Sequence, residues 1–197
     1  SRGLGDVYKR QTLTNAMENL HKKEKLEHMN QILSDLYVRD SVTGLYNRMG
    51  YQKLSISYFT IMREKKMPVL VMFIDLDRLK YINDTFGHEY GDFAIVSIAK
   101  AMLKHCDADA IAARTGGDEF IVLEGAKDEE SGRVLAQKIR TELSKTQRAM
   151  QLPFDLSASI GAVVAHPGEE NVLESYVKQA EMLMYEEKAE KKVSRDS

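Results

Sequence analysis

Six apolar residues in a row, Val69 to Ile74 (Val-Leu-Val-Met-Phe-Ile), end abruptly in Asp75-Leu76-Asp77. A run of that length without polar alternation marks a strand covered on both faces, so helices must pack above and below it. The rest of the chain supplies them. Met49, Leu54, Tyr58 and Ile61 predict a helix over Arg48 to Lys65, and Phe93 to Leu103, Glu129 to Leu143 and Val172 to Ala189 read as three more. Ala110 to Ala113 and Phe120 to Leu123 are short strands on either side of Arg-Thr-Gly-Gly-Asp-Glu, which reads as a hairpin. Phe154 to Ala165 reads as a further strand. The expectation is a compact α/β domain, and no internal period points to a repeat protein.

With 197 residues the chain fits one ordinary domain plus an appendage. Its 28 Lys and Arg against 30 Asp and Glu give a net charge of −2, which argues against a nucleic-acid binder. The single cysteine, Cys106, cannot form an intramolecular disulfide, so a reducing, cytoplasmic setting is expected. No apolar run approaches the roughly 18–20 residues that span a bilayer, so no membrane segment is expected in this chain, although a longer parent could be anchored upstream. Residues 1–11 are polar and aperiodic, resemble translated adapter sequence, and read as a non-native or disordered leader. Residues 12–38 lack Gly and Pro and read as a helical linker. Leu26, Met29, Leu33 and Leu36 fall at a and d spacing, with Leu13 and Leu20 out of phase. So thin a stripe suits either a solvated helix on its own domain or a parallel coiled coil. A sensor domain is expected upstream. The globular domain is placed at 39–193, with 194–197 as a tail.

Asp75 and Asp77 close the buried strand, and Asp118 and Glu119 lie in the hairpin. A bare carboxylate near a core is costly and calls for a cation, hydrogen bonds or protonation. An oxygen-only set without His or Cys favours a hard cation, Mg²⁺ or Mn²⁺. Lys80 and the turn beside it could hold phosphates. The plainer reading is a set of polar strand ends facing water.

Four sequence words go further. Asp-Ser-Val-Thr-Gly-Leu-Tyr-Asn-Arg spans Asp40 to Arg48. Asp-Leu-Asp-Arg-Leu-Lys-Tyr-Ile-Asn-Asp-Thr-Phe-Gly-His spans Asp75 to His88 and is followed by Gly91-Asp92. Arg-Thr-Gly-Gly-Asp-Glu-Phe spans Arg114 to Phe120, and Ser159-Ile160-Gly161 comes last. In this order and at these intervals, over about Asp40 to Lys192, they resemble the GGDEF domain of the diguanylate cyclases.

The resemblance implies a palm-like fold, a central mixed, largely antiparallel sheet flanked by helices, here preceded by the long N-terminal helix. It implies condensation of two GTP into cyclic di-GMP with release of pyrophosphate, by two domains acting as a homodimer. It assigns the metal to Asp75, Asp118 and the carbonyl of Leu76, and catalytic parts to Asp118, Glu119 and Lys80. Asn83 and Asp92 match the guanine-reading positions, since a carboxylate accepts from guanine N1–H and N2–H₂ side by side. The plainer reading of Asp92 is a helix N-cap. Leu79, Lys80, Lys188 and Lys192 fall among the nucleotide contacts, and Gly116 and Gly117 allow close backbone approach. Lys192 stands where the family usually has Arg, and Glu187 and Lys191 replace small residues around that motif. The Arg-x-x-Asp of the family's product site is replaced by Asp107 and Ala110, so a bisphosphate should find no anchor there. Asp40 and Arg48 read either as cap and ion pair or as catalytic. His88 reads as a turn or cap residue. The alternative to an enzyme is a catalytically silent module that binds GTP and regulates a partner.

Overall fold

The computed structural model describes residues 15, 17, 19–26, 29, 37–166, 168 and 172–196, and of 195 and 196 the backbone alone. It divides into two compact units, Ser1–Tyr37 and Val38–Ser197. In the first, residues 19–26 are helical, as are 15, 17, 29 and 37, and Leu20, Leu26 and Met29 are exposed. Leu13, Leu33 and Leu36 of the expected seam lie outside the described residues.

The second unit is built on four strands, β1 (Val69–Leu76), β2 (Ile111–Arg114), β3 (Glu119–Gly125) and β4 (Ala158–Ala165). Their order across the sheet is β2-β3-β1-β4, and every strand pairing is antiparallel. The expected mixed character survives only as one isolated parallel bridge, Tyr46 to Ala113. All eight residues of β1 are buried, as an unbroken apolar run at the centre of a sheet requires.

Alternation along β1 feeds two cores. Leu70, Met72, Ile74 and Leu76 face α2 (Leu79–Phe86), α3 (His88–His105) and α4 (Ser131–Ala149), packing against Ile82, Ile98, Met102, Leu135 and Ile139. Val69, Val71 and Phe73 face α1 (Arg48–Glu64) and α5 (Leu173–Asp196), packing against Phe59, Met62, Tyr176, Ala180 and Met184.

Three local readings are corrected. The helix expected from Phe93 begins at His88, and a separate helix, α2, precedes it; Gly87, at φ 94°, is the break between them. Asp92 is therefore the fifth residue of α3 and not its N-cap. The strand expected from Phe154 begins at Ala158, because residues 154–157 run without strand pairing past Pro153.

Gly161 sets the depth at which α5 lies on the sheet. A Cβ there would stand 1.9 Å from the Ala180 carbonyl oxygen and 2.5 Å from the Met184 amide nitrogen. Helix backbone thus rests directly on strand backbone, and one further helical turn brings Lys188 over the end of β1. β4 is one of the two edge strands. Its outward groups are met by α5 side chains: Lys191 Nζ donates to the Ala158 carbonyl at 2.7 Å, and Glu187 Oε2 accepts from the Ile160 amide at 3.1 Å.

Candidate active site

The carboxylates gather where β1 ends. Asp75 is opposite Glu119 on β3 and Ser159 on β4, so the strand register, not local sequence, brings the two distant words together. The next rung is closed by the Leu76 amide, which donates to the Asp118 carbonyl at 2.9 Å. Asp118 lies in the turn just before β3, half-buried, while Asp75 is 4% exposed.

Lys188 on α5 donates to Asp75 Oδ1 at 2.7 Å. Burial nevertheless pushes the Asp75 carboxyl above the usual aspartate range; the Lys188 bond opposes this, and the charges of Asp118 and Asp77 add to it. Burial works against the charge on Lys188 as well, yet Asp75, Asp118 and Asp77 together leave its pKa raised. Asp75 is a carboxylate short of positive charge.

Asp77 is the opposite case. Burial alone would raise its pKa, but Ser159 Oγ donates to Oδ1 and Ser157 Oγ to Oδ2, both at 2.7 Å, and Lys191 adds a bond at 3.1 Å, so it is lowered. Lys191 is held in turn by Glu187 at 2.7 Å, and Glu187 by Arg140 at 2.6 Å. Asp77 is thus a satisfied structural acid, and Asp75 is the reactive-looking one.

The turn after Asp77 carries Arg78 in the left-handed region, φ 61°, with its guanidinium 4.0 Å from the centre of the Tyr81 ring. A non-glycine residue held there costs of order 1–3 kcal/mol and persists only where its surroundings enforce it. Leu79 opens α2, and Lys80 is exposed on its first turn. Asn83 on α2 lies against Gly91 on α3: a Cβ at Gly91 would stand 1.9 Å from Asn83 Oδ1. That glycine lets the two helices close, and the next residue, Asp92, is exposed.

The hairpin is tethered. Arg114 donates from Nε and Nη2 to the Gly117 carbonyl, at 3.2 and 2.8 Å, and from Nη1 to Asp40 at 3.3 Å. Asp40, whose carboxylate also accepts from the Thr43 amide and hydroxyl, has its pKa lowered: burial opposes this, and the Thr43 bonds and Arg114 outweigh it. The partner of Asp40 is therefore Arg114, and Arg48 is exposed at the start of α1. The missing Cβ at Gly116 makes room first for Glu119, since a Cβ would stand 2.6 Å from Glu119 Oε2; at Gly117 nothing lies within 4 Å.

Lys188 reaches this centre from 113 residues away, while Lys192, one turn on, is exposed. Lys191, Ser157 and Arg114 complete the hydrogen-bonding around the site and had not been assigned to it. Lys191 follows Lys188 by three residues, so a shared helix face was the available signal.

Among the described residues no group of three or more His, Cys, Asp or Glu side chains is placed to hold a metal. Two carboxylates and a backbone carbonyl, an all-oxygen set around a charge-deficient Asp75, nonetheless suit a hard divalent ion. Among the same residues no helix is long and apolar enough to cross a membrane. Asp107 and Ala110 line a separate cleft of about 240 Å³ with Arg39, Tyr46 and Cys106.

A family model described as diguanylate cyclase, GGDEF domain, matches residues 37–194. The chain belongs to the GGDEF family. Within it, the chain is 33% identical over 153 residues to the diguanylate cyclase VdcA of Vibrio cholerae, covering 76% of this chain and 43% of VdcA. It is 27% identical over 165 residues to the cyclic di-GMP phosphodiesterase NbdA of Pseudomonas aeruginosa, covering 84% of this chain and 21% of NbdA. The chain thus spans less than half the length of either relative. The crystal structure of the coiled coil and GGDEF domain of DgcB from Caulobacter crescentus, in complex with c-di-GMP, aligns with TM-score 0.74. It covers 89% of this chain and 93% of its own, and at 21% identity it bears on the fold alone. Membership in the GGDEF family places this domain in cyclic di-GMP signalling.

Proposed function

We propose that this GGDEF domain is a diguanylate cyclase, which joins two GTP molecules into cyclic di-GMP and releases two pyrophosphates. The observation that supports the reading is the meeting of Asp75 and Asp118 where β1 pairs with the hairpin, with Lys188 bonded to Asp75. Asp75, Asp118 and the Leu76 carbonyl would hold Mg²⁺ or Mn²⁺, which would supply neutralisation of phosphate charge and stabilisation of the 3′-alkoxide and the leaving pyrophosphate. Lys80, Lys188 and Lys192 take the triphosphate, with Leu79 in the turn below it. Gly116 and Gly117 let the hairpin approach the nucleotide, and Glu119 supports the catalytic step.

Asn83 and Asp92 read the base. Asp92 accepts from guanine N1–H and N2–H₂, whereas adenine would set an acceptor against the carboxylate. The deciding assay is incubation with GTP and Mg²⁺ followed by chromatography for cyclic di-GMP. Asp92→Ala should weaken GTP binding by about 1–3 kcal/mol, because the guanine donors lose their acceptor. Equal calorimetric affinity of the native protein for ATP and GTP would refute the base assignment. A second reading, a silent GTP-binding regulatory module, draws support from relatives such as NbdA, which is named for phosphodiesterase activity. Tight GTP binding with no cyclic di-GMP formed would favour it.

One palm-like domain binds one triphosphate, yet the reaction closes two 3′-to-5′ links. Two copies must face each other so that each 3′-hydroxyl meets the other nucleotide's α-phosphate, a placement worth several kcal/mol of barrier, within the roughly 7–11 kcal/mol that proximity can supply. The linker at 12–38 brings the copies together, in a cytoplasmic protein whose upstream sensor sets their spacing. Loss of the Arg-x-x-Asp anchor at Asp107 and Ala110 leaves the product to compete at the active site only. Specific activity should rise with enzyme concentration across a hundredfold dilution series at saturating GTP. A flat line from a protein that sediments as a monomer throughout would overturn the two-domain mechanism.

A further inference from the structure

Two lysines of α5 hold the two carboxylates at the end of β1, and they hold them differently. Lys191 is saturated. Its ammonium donates to Asp77, Ser159 Oγ and the Ala158 carbonyl, and pairs with Glu187. Glu187 is itself fixed by Arg140 and the Ile160 amide, so Lys191 is one node in a brace that joins α5 to α4 and the β4 edge. Among the described residues Lys188 is bound only through Asp75, and its side chain is 39% exposed above a carboxylate whose side chain is 6% exposed. Its ammonium also feels the charges of Asp118 and Asp77. One lysine is locked; the other sits at the mouth of the site on a flexible stem.

We propose that Lys188 is an internal stand-in for the divalent ion: in the nucleotide-free protein its ammonium occupies the cation seat beside Asp75 and Asp118, and it moves to the triphosphate when GTP and its metal arrive. The inference rests on the cyclase reading above. An ammonium is a compact point charge with rotatable donors, well suited to exchange one anionic partner for another. The exchange keeps charge balanced throughout: the carboxylates trade a single positive charge for a double one, and the displaced lysine meets the phosphates that come with it. The Lys191 brace keeps α5 seated while Lys188 lets go. Two consequences follow by linkage. Metal alone binds weakly because it must evict Lys188, and nucleotide strengthens metal binding by giving Lys188 a new partner.

The test is titration of the nucleotide-free protein with Mn²⁺, followed by electron paramagnetic resonance. Lys188→Met, with Lys188→Gln as a second variant and thermal melts to confirm folding, should bind Mn²⁺ about tenfold more tightly than the native chain. With Mn²⁺ saturating, the same variants should bind a non-reacting GTP analogue more weakly, and the gain in Mn²⁺ affinity that the analogue produces should shrink. If Asp75→Asn removes Mn²⁺ binding but the Lys188 variants bind it no better than the native protein, the stand-in role is overturned while the metal seat survives. If neither Asp75→Asn nor Asp118→Asn affects Mn²⁺ binding, the metal assignment itself falls and the stand-in role with it.

Discussion

Asp75→Asn and Asp118→Asn should each lower cyclase turnover by roughly 10²–10³ or more, because each removes charge that the transferring phosphates need held in place. Activity retained within about tenfold in either variant would sink the assignment. The two effects on stability should differ from the effect on rate. Asp75 is nearly buried, and burial together with Asp118 and Asp77 raises its pKa in the folded state. A raised carboxyl pKa stabilises the fold below the unfolded value of about 3.9 and costs stability as pH rises through the folded value. At pH 7, without divalent ions, Asp75→Asn should therefore melt above the native protein, by about 2–4 °C for each kcal/mol recovered in a domain of this size. The gain should fade as acid takes the pH down through the folded value, where the native side chain also becomes neutral. Asp77 carries the opposite sign, its pKa being lowered by Ser159, Ser157 and Lys191 against the pull of burial. It stabilises the fold above the unfolded value, and that stability is lost as acid takes the pH through the folded one. A lower melting temperature for Asp75→Asn at pH 7 would mean that the Lys188 bond outweighs burial.

Gly161→Ala should be the most damaging single-methyl change in the domain. The added carbon would overlap the Ala180 carbonyl and the Met184 amide, both helix backbone, so no side chain can turn aside. Helix α5 must lift, and overpacking of that kind costs about 3 kcal/mol or more. Lifting α5 also withdraws Lys188 from Asp75. Gly117→Ala is the control: nothing lies within 4 Å of its added carbon and its φ is not positive, so stability should change by less than about 1 kcal/mol. Urea midpoints for the two variants make the comparison, and equal midpoints would refute the close approach.

Much of this could be read beforehand where the signal was local or carried by whole words. The buried strand declared itself through six apolar residues, and the hairpin through its flanking strands. The break between α2 and α3 was missed because Gly87 acts through its backbone angle, which a helical apolar pattern hides. The plainer reading of Asp92, an N-cap, fails on the same account. The pairs Asp40–Arg114 and Asp77–Lys191 are 74 and 114 residues apart, and no period or spacing announces such contacts. Asp75 and Asp77 looked alike in sequence. Ser159 on the neighbouring strand and Ser157 just before it separate them, one acid hydrogen-bonded to rest and the other left in need of charge.

The outer rim of β4 bears on how copies of this protein behave in a crowded solution. An edge strand offers unpaired amides and carbonyls to any other extended chain, and such edges seed aggregation. Here the Ala158 carbonyl and the Ile160 amide are already taken by Lys191 and Glu187. An incoming strand would have to break both bonds and strip water from two ionised groups to pair along that stretch of the edge. The residues that replace small ones on α5 therefore act as gatekeepers, and a chain with glycine or alanine at 187 and 191 should clump more readily on heating than this one does.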